Sequence, residues 1–135
     1  MLSDDHSFVR RGLRNILESI DQYEICGEAS DGHQALEMAQ RLHPDILIID
    51  ISMPAPNGLE VARQLHDTHP EIKVLILTMH DSAEMLRAAA AAGAFGYLLK
   101  SDDETLLVNA LQCLEHGQHF VSPAFEPGLA RQLFH

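Results

Sequence analysis

Short apolar runs rich in β-branched residues alternate along this chain with longer stretches in which apolar residues recur every three or four positions. The runs lie at Glu24 to Ala29, Asp45 to Asp50, Ile72 to Thr78 and Phe95 to Leu99. Nearly continuous hydrophobicity over such a short span is what a strand carries when both of its faces are covered. Between the runs, Val9, Leu13, Ile16, Leu17 and Ile20 form one face of a first helix. Ala35, Leu36, Ala39 and Leu42 mark a second, and Leu59, Ala62 and Leu65 a third. Met85 through Ala92 predicts a fourth, with Gly93 as its left-handed cap, and Leu106, Leu107, Ala110, Leu111 and Leu114 predict a fifth.

The polar punctuation agrees with this division. Asp5 is placed to cap the first helix and Asp31 the second, Asn57 and Gly58 open the third, and His43-Pro44 and His69-Pro70 close helices ahead of strands. Strict alternation of strand and helix predicts an α/β fold with a parallel sheet covered on both sides. The first strand is short: Met1, Leu2 and Ser3 precede an acid pair, against about five residues in an ordinary strand. A start further upstream or a shortened strand are the two explanations, and either predicts lost ladder bonds. Beyond residue 121, Ser122-Pro123 reads as a helix start and Pro127-Gly128 as its interruption. Residues 122–135 are therefore expected to be a linker or a short C-terminal helix appended to a domain at 1–121.

With 135 residues the chain is long enough for one core without staples. The two cysteines, Cys26 and Cys113, lie in apolar segments without metal-ligand spacing and read as buried free thiols, which suits a reducing cytoplasm. No apolar run approaches the roughly 18 residues of a membrane span, so no membrane association is expected. The net charge is −11, with 20 acids against nine Lys and Arg. A basic stripe for phosphate backbones is missing, which argues against direct nucleic-acid binding by these residues. Lysine occurs twice, at Lys73 and Lys100.

Ligands of an open parallel sheet bind beyond the carboxyl ends of its strands. There the sequence places Asp4-Asp5 after the first strand, Asp50 after the third, Thr78 at the end of the fourth and Lys100 after the fifth. Each has an ordinary explanation alone: a helix cap, a strand-ending polar residue, a β-branched strand residue, a solvated rim charge. Their coincidence on one rim does not. Three converging carboxylates repel one another, and the excess over Lys100 invites a hard divalent ion with oxygen ligands, of which Mg2+ is the best fit.

The segments Asp4-Asp5-His6, Asp50-Ile-Ser-Met-Pro with Asn57-Gly58, Leu77-Thr78 and Tyr97-Leu-Leu-Lys100 together resemble the motif set of bacterial response-regulator receiver domains. The tract from Asp4 to Arg14, with Leu77-Thr-Met-His-Asp81, is most similar to the subfamily with a LuxR-type helix-turn-helix, and the resemblance spans residues 1 to 121. It implies a doubly wound, flavodoxin-like sheet of five strands in order 2-1-3-4-5, here with a shortened first strand. By the same resemblance, Asp50 accepts a phosphoryl group from a sensor histidine kinase. Mg2+ is held by Asp5, Asp50 and the Ser52 backbone carbonyl, with Asp4 acting through water. Lys100 and the Thr78 hydroxyl contact phosphoryl oxygens, and Tyr97 is the aromatic switch. Homodimerisation on phosphorylation, a cytoplasmic location and control of a DNA-binding domain outside these residues are further implications.

Several positions depart from that pattern. Ser101 follows the lysine where a proline with a cis bond is common; a cis bond here would cost about 2.5–4 kcal/mol. Pro56 stiffens the loop after Asp50, and Met79 either narrows water access to the acceptor or simply packs. His6 reads as a first-turn helix residue rather than a metal ligand. Arg10, Arg11 and Arg14 read as a solvated helix face, with Arg14 spaced to pair with Glu18, or as part of a kinase-docking surface. Other function classes fit less well. An aspartyl phosphatase of the dehalogenase type would carry Asp at position 52, where Ser52 stands. A flavodoxin would follow its first strand with a phosphate loop, not two acids. An interaction module that is never phosphorylated would not need the complete acid, Thr and Lys set.

Overall fold

The interior strands form where β-branched runs can be paired on both sides. In the computed structural model, which describes residues 1–134, they are β1 (Leu2–Ser3), β3 (Ile46–Ile49), β4 (Lys73–Thr78) and β5 (Gly96–Leu99), with β2 (Glu28–Ala29) and β6 (Phe120–Val121) at the edges. All pairs are parallel and the order is β2-β1-β3-β4-β5-β6. The expected five-stranded sheet thus gains a sixth strand, formed by Phe120 and Val121 beside Gly96 and Tyr97. The helices are α1 (Ser7–Glu18), α2 (Gly32–Leu42), α3 (Gly58–Thr68), α4 (Ala83–Ala91), α5 (Glu104–Glu115) and α6 (Pro127–Leu133).

Alternate strand residues feed two cores, one on each face of the sheet. Leu47, Ile49, Val74, Ile76, Tyr97 and Leu99 pack with Ala35, Val61, Leu65 and Leu86 of α2, α3 and α4. Ile48, Leu75, Leu77 and Leu98 pack with Leu13, Leu17, Leu107 and Leu111 of α1 and α5. The period of two along each strand is what divides them.

Caps follow the sequence at three helices and depart from it at one. Asp31 accepts from the Gln34 amide, and Asn57 with Glu60 makes a reciprocal capping box. Gly93 has φ +86 after α4. Asp5, however, does not cap α1; His6 is the capping residue and makes no side-chain cap bond. The chain must stay extended there for the His6 amide to reach the Asp4 carboxylate at 2.8 Å, which moves the helix start beyond Asp5.

Other differences have similar local causes. The second strand covers only Glu28–Ala29 of the expected run from Glu24, because Leu2–Ser3 offers partners to those two residues alone. Cys26 lies in the unpaired stretch and is exposed, not buried; Cys113 is half-buried, and both are free thiols. At the C-terminal end, Pro127 does not interrupt a helix begun at Pro123. It occupies the first turn of α6, where a missing N–H is harmless. Phe125 and Phe134 bury their rings in the core on the α2–α4 side. His135 is outside the described residues.

Two glycines set close approaches around the acid-bearing loop. A Cβ on Gly58 would overlap the Asp50 carbonyl, and one on Gly32 would overlap the Pro56 carbonyl. The loop from Asp50 to Asn57 is therefore clasped between the starts of α2 and α3. Pro56 itself follows a cis peptide bond at Ala55, while Lys100–Ser101 is trans.

Candidate functional site

The carboxyl ends of β1, β3, β4 and β5 deliver Asp4, Asp50, Thr78 and Lys100 to one rim, because parallel pairing aligns the ends of successive strands. Asp4 and Asp50 are each only 2% exposed and Thr78 is fully buried. Lys100 Nζ lies 2.8 Å from Asp4 Oδ2 and 3.2 Å from Asp50 Oδ2, so one ammonium bridges two buried carboxylates. Burial alone would favour the neutral acid at Asp4, but the Lys100 ammonium and the His6 amide outweigh it and hold its pKa below the usual value. Burial would likewise strip the proton from Lys100; the hydrogen bonds and charges of Asp4 and Asp50 outweigh that and raise its pKa. Both partners of the pair are thereby held charged.

Asp5 and His6 complete the pocket. One donor atom from each of Asp4, Asp5, His6 and Asp50 lies within 4.8 Å of the others. Three carboxylates against one lysine leave the pocket electronegative, and their oxygens are the donors a hard divalent cation takes. On that donor chemistry the residues fit Mg2+. Ser52 follows in the turn after Asp50, its amide donating to Asp50 Oδ1 at 3.2 Å.

Thr78 and Tyr97 are linked through a residue that the sequence did not single out. The Thr78 hydroxyl accepts from the His80 amide at 3.2 Å, the Tyr97 hydroxyl donates to the His80 carbonyl at 2.7 Å, and His80 Nε2 lies 3.3 Å from Ser52 Oγ. His80 thus ties the β4–α4 loop to the acid-bearing loop and to Tyr97. Position 80 carries no periodic or motif signal; only the meeting of three loops reveals it. Tyr97 is fully buried, and burial, aided by the charge of Asp81, pushes its hydroxyl up to about 12. Its ring meets Phe125 edge-on with centroids 5.4 Å apart.

The arginines of α1 take different roles. Arg14 makes the expected pair with Glu18 at 2.7 Å and a second pair with Glu28, tying α1 to β2. Arg10 donates to the Asp4 carbonyl and so braces the backbone that carries the acid pair, while Arg11 is exposed. Met79 is 71% exposed, so it does not pack in the core.

Comparison with known proteins places these features in context. The response regulator receiver domain family matches residues 1–112. The transcriptional regulatory protein DegU of Brevibacillus brevis is 33% identical over 132 residues, covering 98% of this chain; the chain spans 56% of that relative's length. A LuxR-family two-component response regulator from Aurantimonas sp. SI85-9A1 superposes with a TM-score of 0.87 at 33% identity, over 98% of this chain and 92% of that one. The isolated receiver domain of RcsB from Salmonella enterica serovar Typhimurium, solved with the phosphomimetic BeF3−, gives 0.82 at 28% identity, over 99% and 96% of the two chains.

Proposed function

The chain belongs to the response regulator receiver domain family of LuxR-type regulators, and from that premise we propose that it is a phosphoryl-accepting switch whose acceptor is Asp50. The observation that carries the reading is the Lys100 bridge between two buried carboxylates at the strand ends. A carboxylate attacking phosphorus needs position and charge neutralisation more than covalent assistance. An Asp50 oxygen forms the new bond to phosphorus as the bond to the donor, a kinase phosphohistidine or acetyl phosphate, breaks; the leaving group keeps that electron pair. Lys100 follows the charge from the carboxylate to a phosphoryl oxygen.

Thr78 can donate its hydroxyl proton to a second phosphoryl oxygen while still accepting from His80, since a hydroxyl does both. Any shift of Thr78 then pulls on His80 and, through its carbonyl, on Tyr97. That chain of bonds couples the acceptor to the face bearing Phe125 and shifts a two-state equilibrium. Asp5, Asp50 and the Ser52 carbonyl would hold Mg2+, with Asp4 acting through water, and the ion when bound supplies positive charge against the carboxylates and the incoming phosphoryl oxygens. Phosphoryl transfer to itself and slow self-hydrolysis would be its only chemistry.

A sensor histidine kinase in the cytoplasm is the phosphoryl donor in this reading, with homodimerisation as the response. Residues 1–121 form the switching unit on the five strands in order 2-1-3-4-5, whose first strand is shortened. Residues 122–135 lead toward a LuxR-type DNA-binding output. Acetyl phosphate tests the acceptor directly: Asp50→Asn is expected to abolish hydroxylamine-labile labelling while circular dichroism stays unchanged. Labelling that survives the substitution would move the acceptor to another residue.

A further inference from the structure

One donor in the acid pocket is not an oxygen. His6 stands at the cap of α1 with extended backbone angles (φ −99, ψ 108), which turn its imidazole back over the pocket. Nδ1 lies 3.0 Å from Asp5 Oδ1 and 3.2 Å from Asp4 Oδ1. Adjacent ligands of an octahedral ion with bonds of about 2.1 Å stand about 3.0 Å apart, so Nδ1 and Asp5 Oδ1 already have the spacing of two neighbouring corners. Asp4 is more committed elsewhere: its Oδ1 accepts the His6 amide at 2.8 Å, and its Oδ2 faces Lys100 at 2.8 Å.

We propose that His6 Nδ1 is a direct ligand of the divalent ion, making this a mixed nitrogen and oxygen centre that takes first-row transition ions such as Mn2+ or Zn2+ in preference to Mg2+. The inference rests on the metal-binding reading above and sharpens it. Mg2+ is hard, keeps its water and gains little from imidazole, whereas affinity for nitrogen donors rises along the first transition row. A neutral imidazole also adds a donor without adding to the repulsion among three carboxylates. The competing arrangement is an imidazolium whose proton is shared by Asp4 and Asp5. It would act as a counter-charge and oppose every cation alike, so the two arrangements predict opposite effects of removing the ring.

Pulsed EPR of the Mn2+-loaded chain reads the bond itself. Directly bound nitrogen is expected in the wild type and lost in both His6→Ala and His6→Gln, the latter keeping a polar side chain at the cap. Calorimetric titration is expected to show Zn2+ affinity falling about tenfold or more in His6→Ala, with Mg2+ affinity held within about twofold. No nitrogen coupling in the wild type, or Mg2+ and Zn2+ affinities that rise together in His6→Ala, would overturn the proposal. Asp5→Asn separates the two layers. If it abolishes binding of both ions while His6→Ala changes neither, the metal site stands and the histidine ligand falls. If the wild type binds neither ion, the metal site falls as well.

Discussion

Lys100 faces two buried carboxylates, and its position shows how a single side chain sets the electrostatics of the rim. Replacing it with Met leaves Asp4 and Asp50 adjacent with no cation between them. The urea midpoint at neutral pH is expected to fall by an amount equivalent to about 1–3 kcal/mol, the lower end if water reaches the site. The pH dependence carries a sign. Asp4 has a folded pKa below its unfolded value, so its contribution is present above the unfolded value, about 3.9, and is lost as the pH falls through the folded one. Wild-type stability should therefore decline through an acid limb beginning near pH 4, and Lys100→Met should flatten it. Urea midpoints across the acid range check both points; an undiminished acid limb in Lys100→Met would mean that the pair does not set it.

Elements transmit what single residues begin. α6 and the turn before it close over the β5 edge through Phe125, whose ring meets Tyr97 edge-on and whose amide bonds to the Ser122 carbonyl at 3.1 Å. Tyr97 in turn holds the His80 carbonyl. The C-terminal segment is thus in contact with the aromatic proposed to report the state of Asp50. Phe125→Ala removes a ring that is 7% exposed and should cost about 3 kcal/mol, read by thermal or urea unfolding. Amide exchange should quicken along β6 and α6 while the α1–α5 side keeps its protection. Uniform acceleration over the whole sheet would show instead that the segment is part of one cooperative unit with the rest.

The molecule as a whole carries a net charge of −11, and its acids are most concentrated where a divalent ion would sit. An ion that binds only the folded state stabilises it by about 2.7 kcal/mol at a hundredfold excess over its dissociation constant. Millimolar Mg2+ or Mn2+ should therefore raise the melting temperature beyond what NaCl of equal ionic strength achieves. Asp5→Asn should remove that increment. An equal rise in Asp5→Asn would assign the effect to general screening of the acidic surface.

Much of this was legible in the chain alone. Apolar runs of four to six residues bounded by turn signals specify parallel strands, and residues such as Asp31 and Asn57 announce helix starts, because both signals are local and depend on neighbours a few positions away. The acceptor, lysine and threonine were legible because parallel strands all end on one rim, which turns sequence position into spatial proximity. What required tertiary structure involves partners distant in sequence. β2 stops at Glu28–Ala29 because β1 pairs with no more of it, and Cys26 is exposed for the same reason. β6 exists because the β5 edge accepts it. His6 and His80 acquire their roles from side chains that other loops bring within 3.0 to 3.3 Å, a spacing that no local pattern encodes.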